Sequence, residues 1–335
     1  MLFFDVRWIG AHGIGRVAAE LARRLHYSTL PLTGHPASPI ETFRLFFALR
    51  RLGRDDLFFT PGINVPFICT RPIAITIHDL NQIDLPCNSG LLKRLYFNVL
   101  LRRACRKSRV VFTDTEYFRQ RIIDWAGVAP EKVVNTACGV SEIFTPEGPD
   151  PGFAFPYVLC VSNRKPHKNE HNTLQGFARA DIDPEIKLVF TGDATPQLEQ
   201  LARALGVGQR VAFAGRVSEP ELAKLYRGAR ALAFPSLYEG FGLPVVEAMA
   251  CGTPVMTSNI SVLPETAGGA ALLVDPHSVD EIAQGIELLL SDADLRAELI
   301  EKGLQRAKDF SWDKVAAVVA EALDRARGHA SGSQR

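Results

Sequence analysis

Two carboxylates eight residues apart, Glu239 and Glu247, lie in a stretch able to hold a charged, hydroxyl-rich ligand: Ser236-Leu237-Tyr238-Glu239-Gly240-Phe241-Gly242-Leu243-Pro244, running on to Gly252. Gly240 and Gly242 carry no side chain, so a backbone can come close to a ligand there. Leu243 and Pro244 read as the opening of a helix, whose N–H groups and positive dipole end suit a diphosphate. Acids repel phosphate but accept from neighbouring hydroxyls, the usual way of holding a ribose or hexose. Amides from Gly240, Phe241, Gly242 and Leu243 for a diphosphate, with Glu239 and Glu247 for sugar hydroxyls, describe a nucleotide-sugar site. On pattern alone the same segment serves equally well as a structural strand-to-helix turn.

Three further groups could act with these. Ser162-Asn163-Arg164-Lys165-Pro166-His167-Lys168-Asn169 places cations between a strand and a helix, where they can neutralise a diphosphate leaving group. Gly13-Ile14-Gly15-Arg16 is a second glycine-rich helix start and a second anion seat. With Val17 and Ala18 it fits a dinucleotide fingerprint, but no acid follows a second strand about 20 residues on, as ribose binding requires. His78-Asp79 stands at the carboxyl end of a strand, where doubly wound sheets place ligands. Two Asp-x-Asp triplets, 181–183 and 292–294, lie at a turn and a helix start and are expected to be turn and cap rather than metal ligands.

The elements that must position these groups alternate strand and helix. Apolar runs at 2–6, 57–60, 73–77 and 110–113 predict one parallel sheet, and those at 157–161, 188–190, 211–218, 231–234 and 255–257 a second. Helices are expected at 16–25, 42–54, 170–180, 221–226, 279–290, 291–308 and 312–327, among others. Thr113 and Glu116, and Ser218 and Glu221, have capping-box spacing. Thr145 to Gly152 is rich in residues that break both helix and strand and reads as a linker. The fold class is therefore α/β, with an amino-terminal domain over 1–150 and a second over 151–310. Residues 328–335 form a polar tail, expected to be disordered.

The 236–254 stretch resembles the donor-site signature of glycosyltransferase family 4, retaining enzymes of GT-B fold. The likeness continues through Thr257-Ser258-Asn259, Leu263-Pro264-Glu265 and Gly268 to Pro276, and covers the chain from Gly13 to about Pro276. It implies two Rossmann-like domains facing across a cleft, the acceptor on the first, the donor on the second, and residues 311–327 as a helix crossing back to the first domain. It implies that His78 contacts the transferring sugar, and that Lys168 neutralises the diphosphate together with Arg164, one step from the family's arginine. Backbone groups of Arg216 and Val217 meet the nucleobase, and Gly13, Ile14 and Gly15 close over the diphosphate, with His12 in place of the usual first glycine. His78-Asp79-Leu80, Pro166-His167-Lys168-Asn169 and Tyr238 to Pro244 are most similar to mannosyltransferases using GDP-mannose in bacterial polysaccharide or lipopolysaccharide assembly, although UDP-glucose users share most of these residues. A nucleotide sugar, a saccharide or lipid-linked saccharide acceptor and no metal cofactor follow as expectations. An NAD-dependent Rossmann enzyme and a catalytically silent binding protein remain the other classes.

Composition narrows the partners. A chain of 335 residues, 47% hydrophobic, has room for two cores, and a net charge of +1 gives no overall field for nucleic acid. Its six cysteines never fall in Cys-x-x-Cys spacing, which speaks against structural zinc or a disulfide scaffold and for a reducing, cytoplasmic setting. No leader pattern precedes the first strand, and no apolar run of about 20 residues occurs to span a bilayer. Residues 90–109 carry Lys93, Arg94, Arg102, Arg103, Arg106, Lys107 and Arg109 without an acid, interleaved with leucines and aromatics. That basic amphipathic stretch can lie on an anionic membrane surface, or pack as an ordinary helix with a solvated cationic face.

Overall fold

The computed structural model describes residues 1–10, 13–38, 40–85 and 90–328. His12 and the tail from 329 onwards lie outside the described residues. Contacts divide the chain into two compact units, Met1–Gly139 with Ser311–Arg335, and Val140–Phe310. The division falls at Gly139, eleven residues before the expected boundary at 150, because the segment from Val140 to Phe144 packs with the second core.

In the first unit, strands β1 (Leu2–Phe4), β2 (Leu57–Thr60), β3 (Ile73–Thr76), β4 (Val110–Thr113) and β5 (Val133–Asn135) form a parallel sheet in that order. Every residue of β2, β3 and β4 is buried, as expected for apolar runs covered on both faces. Helices α1 (Gly13–Arg24), α2 (Glu41–Leu49), α3 (Asn81–Asp84), α4 (Leu91–Leu95), α5 (Arg102–Lys107) and α6 (Glu116–Ala126) belong to this unit. The basic stretch is helical throughout 91–107, with a π-helical segment, Tyr96–Leu101, between α4 and α5. The cap of α6 is Thr115, whose side chain accepts from Phe118 N–H at 3.2 Å, not the expected Thr113, which ends β4.

The second unit holds β6 (Tyr157–Cys160), β7 (Lys187–Phe190), β8 (Val211–Phe213), β9 (Ala231–Phe234), β10 (Val255–Ser258) and β11 (Leu272–Val274). Its sheet runs β11-β10-β9-β6-β7-β8, all parallel. The 211–218 run is shorter than expected, three residues of strand and then a turn at Gly215, whose φ is +69°. Alternate residues of β6 enter opposite cores. Val158 and Cys160 pack with α7 (Glu170–Arg179), α8 (Pro196–Ala204), α12 (Val279–Ser291) and α13 (Ala293–Ala307). Tyr157 and Leu159 pack with α9 (Glu219–Gly228), α10 (Leu243–Ala250) and α11 (Leu263–Ala267). Ser218 and Glu221 make the expected capping contact on α9: the Ser218 N–H donates to Glu221 Oε2 at 2.8 Å. Asp292 caps α13, accepting from Leu295 N–H at 2.9 Å, and Asp183 accepts from Glu185 N–H within a turn. The last helix, α14 (Trp312–Gly328), belongs with the first unit, where Arg24 Nε donates to Asp313 Oδ1 at 2.6 Å.

The contact of α7 with α12 depends on Gly176, where a Cβ would stand 2.4 Å from Ile282 Cγ2 and 2.9 Å from its Cβ. Gly176→Ala should therefore destabilise the fold by about 1–3 kcal/mol through overpacking, outweighing the gain of about 1 kcal/mol in helix propensity. Denaturant midpoints check this; an unchanged or raised midpoint would show that the two helices part freely.

Candidate functional site

In the second sheet the chain leaves β6 towards β7 and β8, then crosses to the other side of β6 for β9 to β11. At such a reversal the connections leaving two neighbouring strands diverge, and a crevice opens at their carboxyl ends. The connections leaving β6 and β9 are the two charged loops singled out in the sequence. Their side chains meet: Lys168 Nζ lies 2.7 Å from Glu239 Oε1, and both are largely shielded from solvent. The ammonium also sits 5.0 Å from the centre of the Phe234 ring. The Ser236 hydroxyl donates to the same Glu239 oxygen at 2.5 Å, with the His167 carbonyl oxygen 3.0 Å away. Burial pulls the His167 imidazole below its usual range.

Local backbone chemistry holds these loops in place. Asn169 takes a left-handed conformation, φ +60°, tolerated by asparagine better than by most residues. Its buried amide donates to the carbonyl oxygens of Pro235, at 2.9 Å, and Pro276, at 2.7 Å, tying three connections together. Gly242 caps α10 with φ +95°, and a Cβ there would come within 2.7 Å of Leu263 Cδ2, so a glycine is required. Leu243 and Pro244 then open α10 as expected, and Gly240 and the buried Phe241 form the turn before it.

The other expected residues are placed differently. Arg164 is turned into the fold: it pairs with Glu170, and donates from Nε to the Asp193 carbonyl oxygen and from Nη2 to that of Gly192, each at 2.9 Å. Its guanidinium lies over Phe190 and Phe213. Glu247 lies deeper than Glu239, only 2% exposed, and accepts from the buried Tyr226 hydroxyl at 3.0 Å. Arg216 extends into solvent beside Val217, after the bridge that joins Gly192 to Gly215.

In the first unit, His78 follows β3 and is clamped by protein acceptors on both ring nitrogens. Nδ1–H donates to Asp114 Oδ2 at 2.6 Å and Nε2–H to the Pro61 carbonyl oxygen at 2.9 Å. Burial opposes charge on the ring, but the Asp114 carboxylate outweighs it and raises His78 to about 9, so the ring is an imidazolium near neutral pH. The buried Cys138 thiol also faces Asp114. Gly13, Ile14 and Gly15 are the first turn of α1 rather than a loop before it, since a helix can begin on glycines once its first N–H groups need no intrahelical partner. Gly15 packs on Gly10, whose carbonyl oxygen would be 2.2 Å from a Cβ.

Asp114, Ser236, Asn169 and Tyr226 did not stand out in the sequence. Asn169 had a signal, an asparagine directly before a helix; Asp114 and Tyr226 are single polar residues whose partners, His78 and Glu247, only the fold brings near, and Ser236 is a lone serine three residues before Glu239. Among the described residues no group of three or more metal-ligating side chains occurs.

Residues 153–306 match Glycosyl transferases group 1. The O-antigen chain mannosyltransferase B of Escherichia coli is 28% identical over 295 residues, 82% of this chain and 77% of that protein. The serotype-specific mannosyltransferase WbdA of Escherichia coli is 28% identical over 250 residues, 70% of this chain but only 30% of that longer protein. Among solved structures, HepE of Anabaena in complex with UDP-glucose superposes with a TM-score of 0.76 at 20% identity, over 97% of this chain and 99% of that one. Residues 153–306, within the second unit, are a group 1 glycosyl transferase domain, and the two parallel-sheet units have the GT-B fold.

Proposed function

We propose that the chain transfers mannose from GDP-mannose, with retention of configuration, onto a saccharide or lipid-linked saccharide acceptor in bacterial cell-surface polysaccharide synthesis. One observation carries the reading: the Lys168–Glu239 pair stands at the reversal point of the second sheet, beside the Gly242 opening of α10. The names of the two Escherichia coli relatives support mannose as the sugar.

In this mechanism the bond from the sugar's anomeric carbon to the donor diphosphate breaks, and the acceptor oxygen bonds to that carbon from the same face. The acceptor's proton passes to the departing phosphate oxygen. Lys168 and the first-turn amides of α10 meet the charge growing on that oxygen, so the step needs no metal. Glu239 accepts from hydroxyls of the hexose and Glu247 from the ribose. Arg164, tied to Glu170, Gly192 and Asp193, acts by fixing the loop that carries Lys168. Gly13, Ile14 and Gly15 form a separate anion seat, His78 contacts the sugar with the face or carbon edge of its ring, both of its N–H groups being held by Asp114 and the Pro61 carbonyl oxygen, and backbone groups of Arg216 and Val217 meet the base. GDP-mannose at a hundred times its Kd should stabilise the protein by about 2.7 kcal/mol, several degrees in Tm. A larger shift with UDP-glucose would reassign the donor; no shift with any nucleotide sugar, with NADH fluorescence titrating instead, would remove the reading.

The basic stretch supplies a membrane partner. Leu91 and Leu92 are 87% and 82% exposed, and Leu95 and Val99 are exposed beside Lys93 and Arg94. No helix among the described residues is long and apolar enough to cross a membrane. A peripheral contact with anionic lipid fits that face, each cation near the surface adding about 1 kcal/mol. The protein should sediment with phosphatidylserine vesicles at low salt and be released at about 0.5 M salt, where charge screening is complete within a few ångström. Protein left in the supernatant at low salt would end this proposal.

A further inference from the structure

The first sheet also has a reversal point. Ser28 pairs along the free side of β1, with Phe4 N–H donating to Ser28 O at 3.0 Å and Ser28 N–H to Leu2 O at 2.9 Å, while β2 lies on the other side. At the carboxyl ends of β1 and β2 stands a closed polar network. Arg7 bridges Asp5 at 2.7 Å and Glu41 at 2.6 Å, the Asn64 amide donates to Asp5 at 2.8 Å, and Trp8 donates to Asn64. Beside it opens a cavity of about 700 Å³. Glu41, 1% exposed, lines its buried end, together with Gln82. Phe43, Leu92 and Val99, all exposed, line its outer end, with Lys93 at the rim.

Two details mark the cavity as built. Glu41 Oε2 and Gln82 Oε1 are buried with no hydrogen-bond partner among the described residues. A buried acceptor without a donor is costly and uncommon, so each has room for a hydrogen supplied from elsewhere. The wall is the π-helical segment, a rare geometry concentrated at functional sites. From it Tyr96 donates to the Ile63 carbonyl oxygen at 2.6 Å and accepts from Val65 N–H at 3.2 Å, which pins the loop after β2 against the cavity.

We propose that this cavity binds an amphiphile head first: a hydroxyl-bearing head donates to Glu41 and Gln82, and an apolar chain runs out over Leu92, Leu95 and Val99. That the amphiphile is the sugar acceptor rests on the function proposed above; the binding itself does not.

Calorimetric titration of the full chain with n-decyl maltoside below its micellar concentration tests it. Saturable one-to-one binding is expected, at least tenfold tighter than that of maltose or of decyldimethylamine oxide, which has the chain but no hydroxyl. Val99→Trp, at an exposed position where the fold does not depend on the side chain, should weaken decyl maltoside at least tenfold. Gln82→Leu should remove most of the preference over the amine oxide. No saturable binding, equal affinity for the two detergents, or unchanged affinity in Val99→Trp would each overturn the proposal. GDP-mannose thermal shifts on the same proteins separate the two readings. If the shift persists where the detergent fails, only the cavity assignment falls; if the detergent binds where no nucleotide sugar does, the donor reading falls instead.

Discussion

Replacing Glu239 with alanine should lower kcat for hexose transfer by about 10²–10³-fold, the usual loss when one preorganised polar group is taken from a reacting centre. The carboxylate is held by Lys168 at 2.7 Å and Ser236 at 2.5 Å, so its position is set before any ligand arrives. Removing it has two consequences at once: the hydroxyls of the transferring sugar lose their acceptor, and the shielded Lys168 ammonium loses its counter-charge. Glu239→Gln separates them, because the amide still accepts but no longer neutralises. The fold should survive both changes, since the residue lies on a loop outside the two cores. Single-turnover rates with GDP-mannose, beside circular dichroism and Tm, make the measurement. Wild-type rates in Glu239→Ala would take the residue out of the reaction.

The second large effect is expected at Asp114. His78 is raised from 6.5 to about 9 in the folded protein. A group whose folded value lies above its unfolded one stabilises the fold in its protonated form. Its contribution is complete below pH 6.5 and lost as pH rises through about 9. At 1.36 kcal/mol per pH unit it is on the order of 3 kcal/mol. Asp114→Asn removes the carboxylate that overcomes burial, so most of this contribution should vanish at pH 6.5 and below. The stability difference between wild type and variant, read from denaturant midpoints, should shrink steadily from pH 6.5 and be small by pH 10. A difference that stays constant over that range would mean that Asp114 acts through packing alone.

Much of this was legible in the sequence, and the limits are physical. Most strands of both sheets showed because parallel strands covered on both faces are unbroken apolar runs, as in Ile73 to Thr76 and Ala231 to Phe234; the edge strands β5 and β11, three residues each and only partly buried, did not. Gly242 and Pro244 marked the start of α10 because few other residues suit a left-handed cap and a first helical turn. What did not show was pairing across the sheet. Lys168 and Glu239 are 71 positions apart, and only the strand order β9-β6 brings them together. Arg164 reads as a phosphate ligand when three cations are counted on one loop, yet Glu170 and two carbonyl oxygens lie nearer to hand than any ligand. The π segment within the 90–109 helix was invisible too, because a π turn has no composition of its own; in the structure its Tyr96 docks on the loop after β2.

The grouping of α14 with the first unit has a consequence for biosynthesis. The ribosome releases residues 140–310 as one continuous piece, able to complete its own core, while the unit begun earlier still lacks a helix. Until Trp312 emerges, the surface around Gly139 that it covers stays bare, so the amino-terminal unit, first to be born, is last to mature.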